Sequence, residues 1–194
     1  MTTGKRWLPL DFPIPTVEVP GRWKLRTLGT SELLRDYSAI MSSIEHLQST
    51  GVFSGPDSGT DWPLPTATLH DAVRALALDE LGNLARCWMS FAIVSPDETE
   101  EYGCVYVWPS FKQGWDAQMI MWTTAARYEE LDAELWEWCK TWVMDHFPFE
   151  WERIACPGRE IPWGEWNALD DAMMPVANVL MFLDGLEIGQ HHRD

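Results

Sequence analysis

A chain of 194 residues with 46% apolar content and 13 tryptophans has the material for one hydrophobic core and is too apolar to be disordered. Its 14 basic and 30 acidic residues give a formal charge of −16, which repels phosphate backbones and anionic lipid and excludes nucleic acid as a partner; such a surface either keeps the protein soluble or attracts a cationic amine substrate. No segment reaches the ~18 apolar residues of a membrane span, the N-terminus has no continuous apolar core of a leader, and the cytoplasm is the expected compartment.

Residues 1–21 contain Pro9, Pro13, Pro15 and Pro20, which fix φ and remove backbone donors, so they read as an extended arm ahead of a single domain over 22–194. From Trp23, the alternation of Trp23, Leu25 and Thr27 with Lys24 and Arg26 predicts a half-buried strand. Thr30 or Ser31 can cap a following helix, whose Leu33, Tyr37, Ile40, Ile44 and Leu47 share one face. The Gly-, Ser- and Pro-rich stretch from Ser49 to Pro65 predicts a loop. Thr68 is the expected cap of a second helix running to about Ala85, with Leu69, Val73, Ala77, Leu81 and Leu84 as its apolar stripe.

Three strand-like segments follow, Trp88 to Val94, Gly103 to Trp108 and Ala117 to Thr123, joined by turns short enough to make them antiparallel neighbours. The third feeds a long helix, about Glu129 to His146, carrying Leu131, Leu135, Trp138 and Trp142 on one face and leaving Trp136 on the other. Trp151 to Cys156 is again strand-like, and a strand, helix and strand at this spacing predict a parallel pair. The segment PGREIPWGEW is irregular, Val176 to Leu183 is a strand or a short helix, and the tail is polar. The fold class is therefore α+β.

Cys87, Cys104, Cys139 and Cys156 form no CxxC pair and have no histidine at finger-like spacing, so each is expected to be a reduced core residue and no metal is expected. His46, His70 and His146 lie on predicted helices without a carboxylate at ligand spacing; His191 and His192 lie in the tail. Trp108, Trp115, Trp163 and Trp166 flank turns where a groove can form, and the tryptophan-rich second half offers a surface for homodimerisation.

This order of elements, with GCVYVWPS, DAQMIMWT, LDAELWEWCKTWV and PGREIPWGEW in sequence, resembles the GNAT (acyl-CoA N-acyltransferase) superfamily over residues 22 to 166. The resemblance implies a mostly antiparallel sheet flanked by helices, with a splayed parallel strand pair, and an acetyl-CoA- or CoA-dependent N-acetyltransferase acting on an amine. It implies that the strand containing Met121, Trp122 and Thr123 offers its backbone to the pantetheine arm. The following Arg127 and Tyr128 would stand where a glycine-rich loop receives the pyrophosphate, because helix N-termini favour anions. In that loop Glu130 and Asp132 replace the family's small residues and Glu129 adds a third carboxylate, which leaves as an alternative a non-catalytic ligand- or protein-binding module on the same fold. A family-like general base would be a carboxylate on or beside the splayed strands; Asp116 and Glu160 are the candidates, with Glu165 behind them.

Overall fold

In the computed structural model, which describes residues 7–53 and 62–171, six strands form one sheet in the order β1-β2-β3-β4-β5-β6. These are β1 (Val17–Val19), β2 (Trp23–Thr27), β3 (Met89–Val94), β4 (Glu101–Pro109), β5 (Ala117–Thr123) and β6 (Ile154–Ala155). All neighbours are antiparallel except the last pair, where Ala117 and Gln118 lie parallel to Ile154 and Ala155. The helices are α1 (Leu33–Met41), α2 (Ile44–Thr50), α3 (Leu69–Ala85), α4 (Tyr128–His146) and α5 (Trp163–Ala168). Val176 to Leu183 and the tail histidines lie outside the described residues.

The central strands read as unbroken apolar runs because both faces are covered. Met89, Phe91, Ile93, Val105, Val107, Met119 and Met121 pack with Leu135, Trp142 and Val143 of α4, whereas Ala92, Val94, Cys104, Tyr106, Ile120 and Trp122 pack with Leu47 of α2 and Leu76 of α3. The N-terminal stretch joins the first core: Leu8 is fully buried, and the Trp142 indole N–H donates to the Pro15 carbonyl. All four cysteines are buried and free.

The helices correct the sequence reading at several points, and the segment expected to be irregular ends in α5. The first predicted helix is broken at Ser42 and Ser43, whose hydroxyls serve other groups: Ser42 Oγ donates to Ala39 O, and Ser43 Oγ accepts from the Ala125 N–H across the fold. Neither Thr30 nor Ser31 caps α1; Thr30 instead bonds Glu80. Thr68 does cap α3, in a reciprocal box with Asp71, but the expected stripe of that helix points outward: Leu69, Val73, Leu81 and Leu84 are exposed, and Leu76, Gly82 and Asn83 are buried. Polar contacts set this face. Asn83 Nδ2 donates to Leu28 O and Ser90 O while its Oδ1 accepts from the Ser90 N–H, and Gly82 lies against Trp88, with no room for a side chain. Trp136, expected on the outer face of α4, is buried, and Trp138 is only partly so.

Register shifts between Ile93 and Val94, so that Gly103 faces Ile93 while Glu101 faces Val94. A Cβ at Gly103 would lie 2.0 Å from the Trp122 carbonyl oxygen, so only glycine lets β4 and β5 approach this closely. Gly103→Ala should lower unfolding free energy by at least ~2 kcal/mol, measured by urea denaturation.

Acidic groups are buried between the sheet and α1–α3. Burial lifts the Asp79 carboxyl to about 6, against hydrogen bonds from Ser90 and Trp88 that favour its ionised form. A carboxyl raised in the folded state ionises first in the unfolded chain, so stability is full below about pH 4 and falls as pH rises through the folded value. The urea midpoint should drop between pH 4 and pH 7, with a contribution of about 2 kcal/mol from this group, and the drop should shrink in Asp79→Asn.

Candidate functional site

β5 continues for five residues beyond its two-residue pairing with β6, so the two strands part and leave a fork. A cavity of about 240 Å³ fills it. Its floor is Ile120 to Thr123, one wall is His46, Leu47 and Thr50 of α2, and the other is Tyr128 and Asp132 of α4 with Pro157 to Arg159 and Trp163. His46 and Tyr128 meet across the opening with ring centroids 4.5 Å apart. Their two rings bring an imidazole and a phenol to one mouth. Sequence spacing could not find His46, because its partner is an aromatic ring on a distant helix rather than a nearby carboxylate.

One end of the fork is stapled. Asp132 is 6% exposed; it accepts from Thr123 Oγ1 at 2.9 Å, and both its oxygens accept from Arg159 at 2.6 Å. The guanidinium also lies 5.2 Å from the Trp136 ring, which explains why that indole is covered. Burial works against the Arg159 charge, but the hydrogen bonds and charge of Asp132 outweigh it and hold Arg159 above its ordinary value. Asp132 is therefore a structural ion-pair partner, not a free carboxylate facing a phosphate as its place in the sequence suggests.

The start of α4 is differently arranged. Arg127 occupies the N-cap, and the first helical bond runs from the Leu131 N–H to Arg127 O, leaving the N–H groups of residues 128–130 ahead of it. Arg127 does not line the cavity. Its side chain turns to Glu100, which accepts from both Nε and Nη2, and Nη1 reaches Glu130 at 3.3 Å. The Glu100 hydrogen bonds are the main reason that Arg127 is held above its ordinary value. Glu129 stands beside them in the first turn. One cation thus pairs with two carboxylates, Glu130 and Glu100 of the β3–β4 turn, with Glu129 as a third acidic group in the same helical turn in place of Asp132.

Of the residues expected at the cofactor site, Met121, Trp122, Thr123 and Tyr128 line the cavity and Arg127 lies just outside it. Asp116 and Glu160 are not among the lining residues. Asp116 is at the far end of β5, paired through both oxygens with Arg153, and Glu160 is paired with Lys140 at 2.9 Å. A carboxylate held by a cation at the surface is a poor proton acceptor at neutral pH. Glu165 is exposed on α5, and of the four turn-flanking tryptophans only Trp163 reaches the cavity.

Two solved structures share this architecture. The ribosomal-protein-S5-alanine acetyltransferase from Vibrio fischeri matches with a TM-score of 0.51 at 11% identity, over 68% of this chain and 68% of that one. RimL, the ribosomal L7/L12 α-N-protein acetyltransferase in complex with coenzyme A, matches with a TM-score of 0.52 at 12% identity, over 69% of this chain and 67% of that one. The fold is GNAT. No protein-family model and no curated protein matches the sequence. The GNAT sheet, with its parallel fork and the helix leaving it, is thus present here, and the fit of a CoA molecule can be tested on the residues. The fork, whose charged pair Asp132–Arg159 is internally balanced, offers the free edge of β5, but a diphosphate at the start of α4 would meet Glu129, Glu130 and an arginine already neutralised by Glu100. Each carboxylate ~4 Å from a phosphate charge costs about 1 kcal/mol in water and more where water is excluded. The first turn of α4 does not fit a CoA diphosphate.

The staple makes an asymmetric prediction. With Asp132 removed, Arg159 can swing into water, since 27% of its side chain is already exposed; with Arg159 removed, Asp132 stays buried with only Thr123. Arg159→Ala should therefore cost more, about 3 kcal/mol, than Asp132→Ala. In urea titrations the double variant should lose at least ~1 kcal/mol less than the sum of the two.

Proposed function

We propose that the chain is a small-molecule-binding module on the GNAT fold, whose ligand is a neutral or cationic compound seated in the fork cavity. The observation that carries this reading is the engagement of Arg127 by Glu100 beside Glu129 and Glu130, which turns the anion seat of the fold into an acidic one. The cavity supports a ligand of modest size, since 240 Å³ lies below the ~300–1,000 Å³ of drug-sized pockets. Trp163, Tyr128 and His46 supply aromatic surface with polar edges, and Thr50 and Thr123 add hydroxyls. An amine entering it gains from the acidic field of the whole protein, at a charge of −16, and meets no free cation among the described lining residues, because Arg159 is bound to Asp132.

A second reading is acyl transfer from acetyl-CoA to an amine. It is favoured by the position of the cavity, whose floor is the strand edge that the family resemblance assigns to the pantetheine arm. Calorimetry separates the two. Wild-type protein titrated with CoA and with acetyl-CoA should give no heat at millimolar cofactor at two temperatures, and the triple variant Glu100→Gln, Glu129→Gln, Glu130→Gly should gain measurable binding. Micromolar binding by the wild type would select the enzyme reading instead. A panel of small amines, alcohols and carboxylates should raise the melting temperature only for the first two classes, with the rise abolished in Trp163→Ala.

A further inference from the structure

On the opposite side of α1 from the solvent, a second group of polar residues is buried without a charge partner. Asp36 of α1 and Glu101 and Cys104 of β4 bring one ligand atom each to within 4.8 Å of one another, and all three residues are buried. A regular strand would send residues 101 and 104 to opposite faces. The bulge at Gly103 removes that alternation, so that Cys104 Sγ lies 3.3 Å from Glu101 Oε1 and 3.8 Å from Asp36 Oδ1. The contact between Asp36 and Cys104 spans 68 residues of sequence, which is why no motif announces the trio.

Two further observations point to a bound ion. Glu101 is 3% exposed, and its Oε2 has no hydrogen-bond partner. No lysine, arginine or histidine pairs with Asp36 or Glu101 among the described residues; on nearby Arg35, Nη2 is taken by Glu32 and Nη1 by the Glu98 carbonyl, and Nε is buried without a partner. Buried carboxylates are neutralised by a cation, a proton or a metal. A cavity of about 450 Å³ between α1 and the β5–α4 loop leads to the group: Arg35, Ser38, Glu101 and Thr124 line it, and Thr124 Oγ1 is another buried polar atom without a partner.

We propose that Asp36, Glu101 and Cys104 form a binding site for a divalent, zinc-like metal ion, with three protein ligands and a fourth position left to water from the adjoining cavity. Zinc bonds of ~2.3 Å to sulfur and ~2.0 Å to oxygen at the tetrahedral angle set sulfur–oxygen edges of about 3.5 Å, and the two observed edges bracket that length. One soft thiolate with two carboxylates selects zinc or cobalt over magnesium or calcium, which take oxygen alone. Binding displaces to solvent both the Cys104 proton and the proton that Asp36 and Glu101 share, and the ion ties α1 to the bulge in β4.

The test is titration of chelator-treated full-length protein with cobalt(II) or zinc(II) alone. Wild type should take up one equivalent, with cobalt producing the near-ultraviolet charge-transfer band of a thiolate–metal bond. The band should vanish in Cys104→Ala, persist in Cys87→Ala and in the His191→Ala, His192→Ala double variant, and need at least tenfold more cobalt in Glu101→Gln. Circular dichroism of the metal-free variants checks their folding. Absence of stoichiometric uptake by the wild type would overturn the proposal and leave Asp36 and Glu101 sharing a proton; a band that survives Cys104→Ala would overturn it as well.

Discussion

The bidentate pairing of Arg159 with Asp132 is the interaction on which the rest of the site depends. β6 holds β5 through only two residue pairs, so hydrogen bonding within the sheet cannot fix how far the two strands part. The staple does so from the other side, tying the loop after β6 to the second turn of α4 while Thr123 anchors the same carboxylate to the end of β5. Three elements that border the cavity are thereby referred to one buried carboxylate. Trp136 covers the guanidinium and limits the water that would otherwise weaken the pair.

Charge then determines what the fork can accept. The same helix start that exposes N–H groups to an anion carries Glu129 and Glu130, and its arginine is held by Glu100. Helix-end attraction amounts to about 0.3–1 kcal/mol near the surface, less than the repulsion from two or three carboxylates combined. The GNAT sheet and its fork are present, while Arg127 at the start of α4 is engaged by internal ion pairs. Fold and chemistry separate here at the level of a few side chains.

Much of the fold was legible in the sequence because it follows from periodicity. The three central strands and the long α4 appear as runs of apolar residues bounded by turn residues, and the structure places them where the pattern does; of the parallel partner expected over Trp151 to Cys156, only Ile154–Ala155 is strand, because Trp151–Arg153 turn as a short 3-10 helix. Faces decided by polar contacts were not legible: α3 turns about Asn83 and Gly82 rather than about its leucines. The site was half legible. Met121 to Thr123 and Tyr128 follow from the family resemblance, but the role of Asp132 depends on an arginine 27 residues away, and that of His46 on a ring contact with another helix. Glu100 and the bulge at Gly103 carry no local signal, since each matters only through what the neighbouring strand or helix presents to it.

The two-sided sheet divides the molecule optically as well as structurally. Trp122 and its neighbour Trp62 sit in the layer formed with α1–α3, whereas Trp23, Trp136, Trp138 and Trp142 sit in the layer under α4, and one thickness of sheet lies between them. Indole emission from these core residues is therefore a sum over two separate compartments. Loosening one helix layer would change the colour of part of that emission and leave the remainder at its native wavelength.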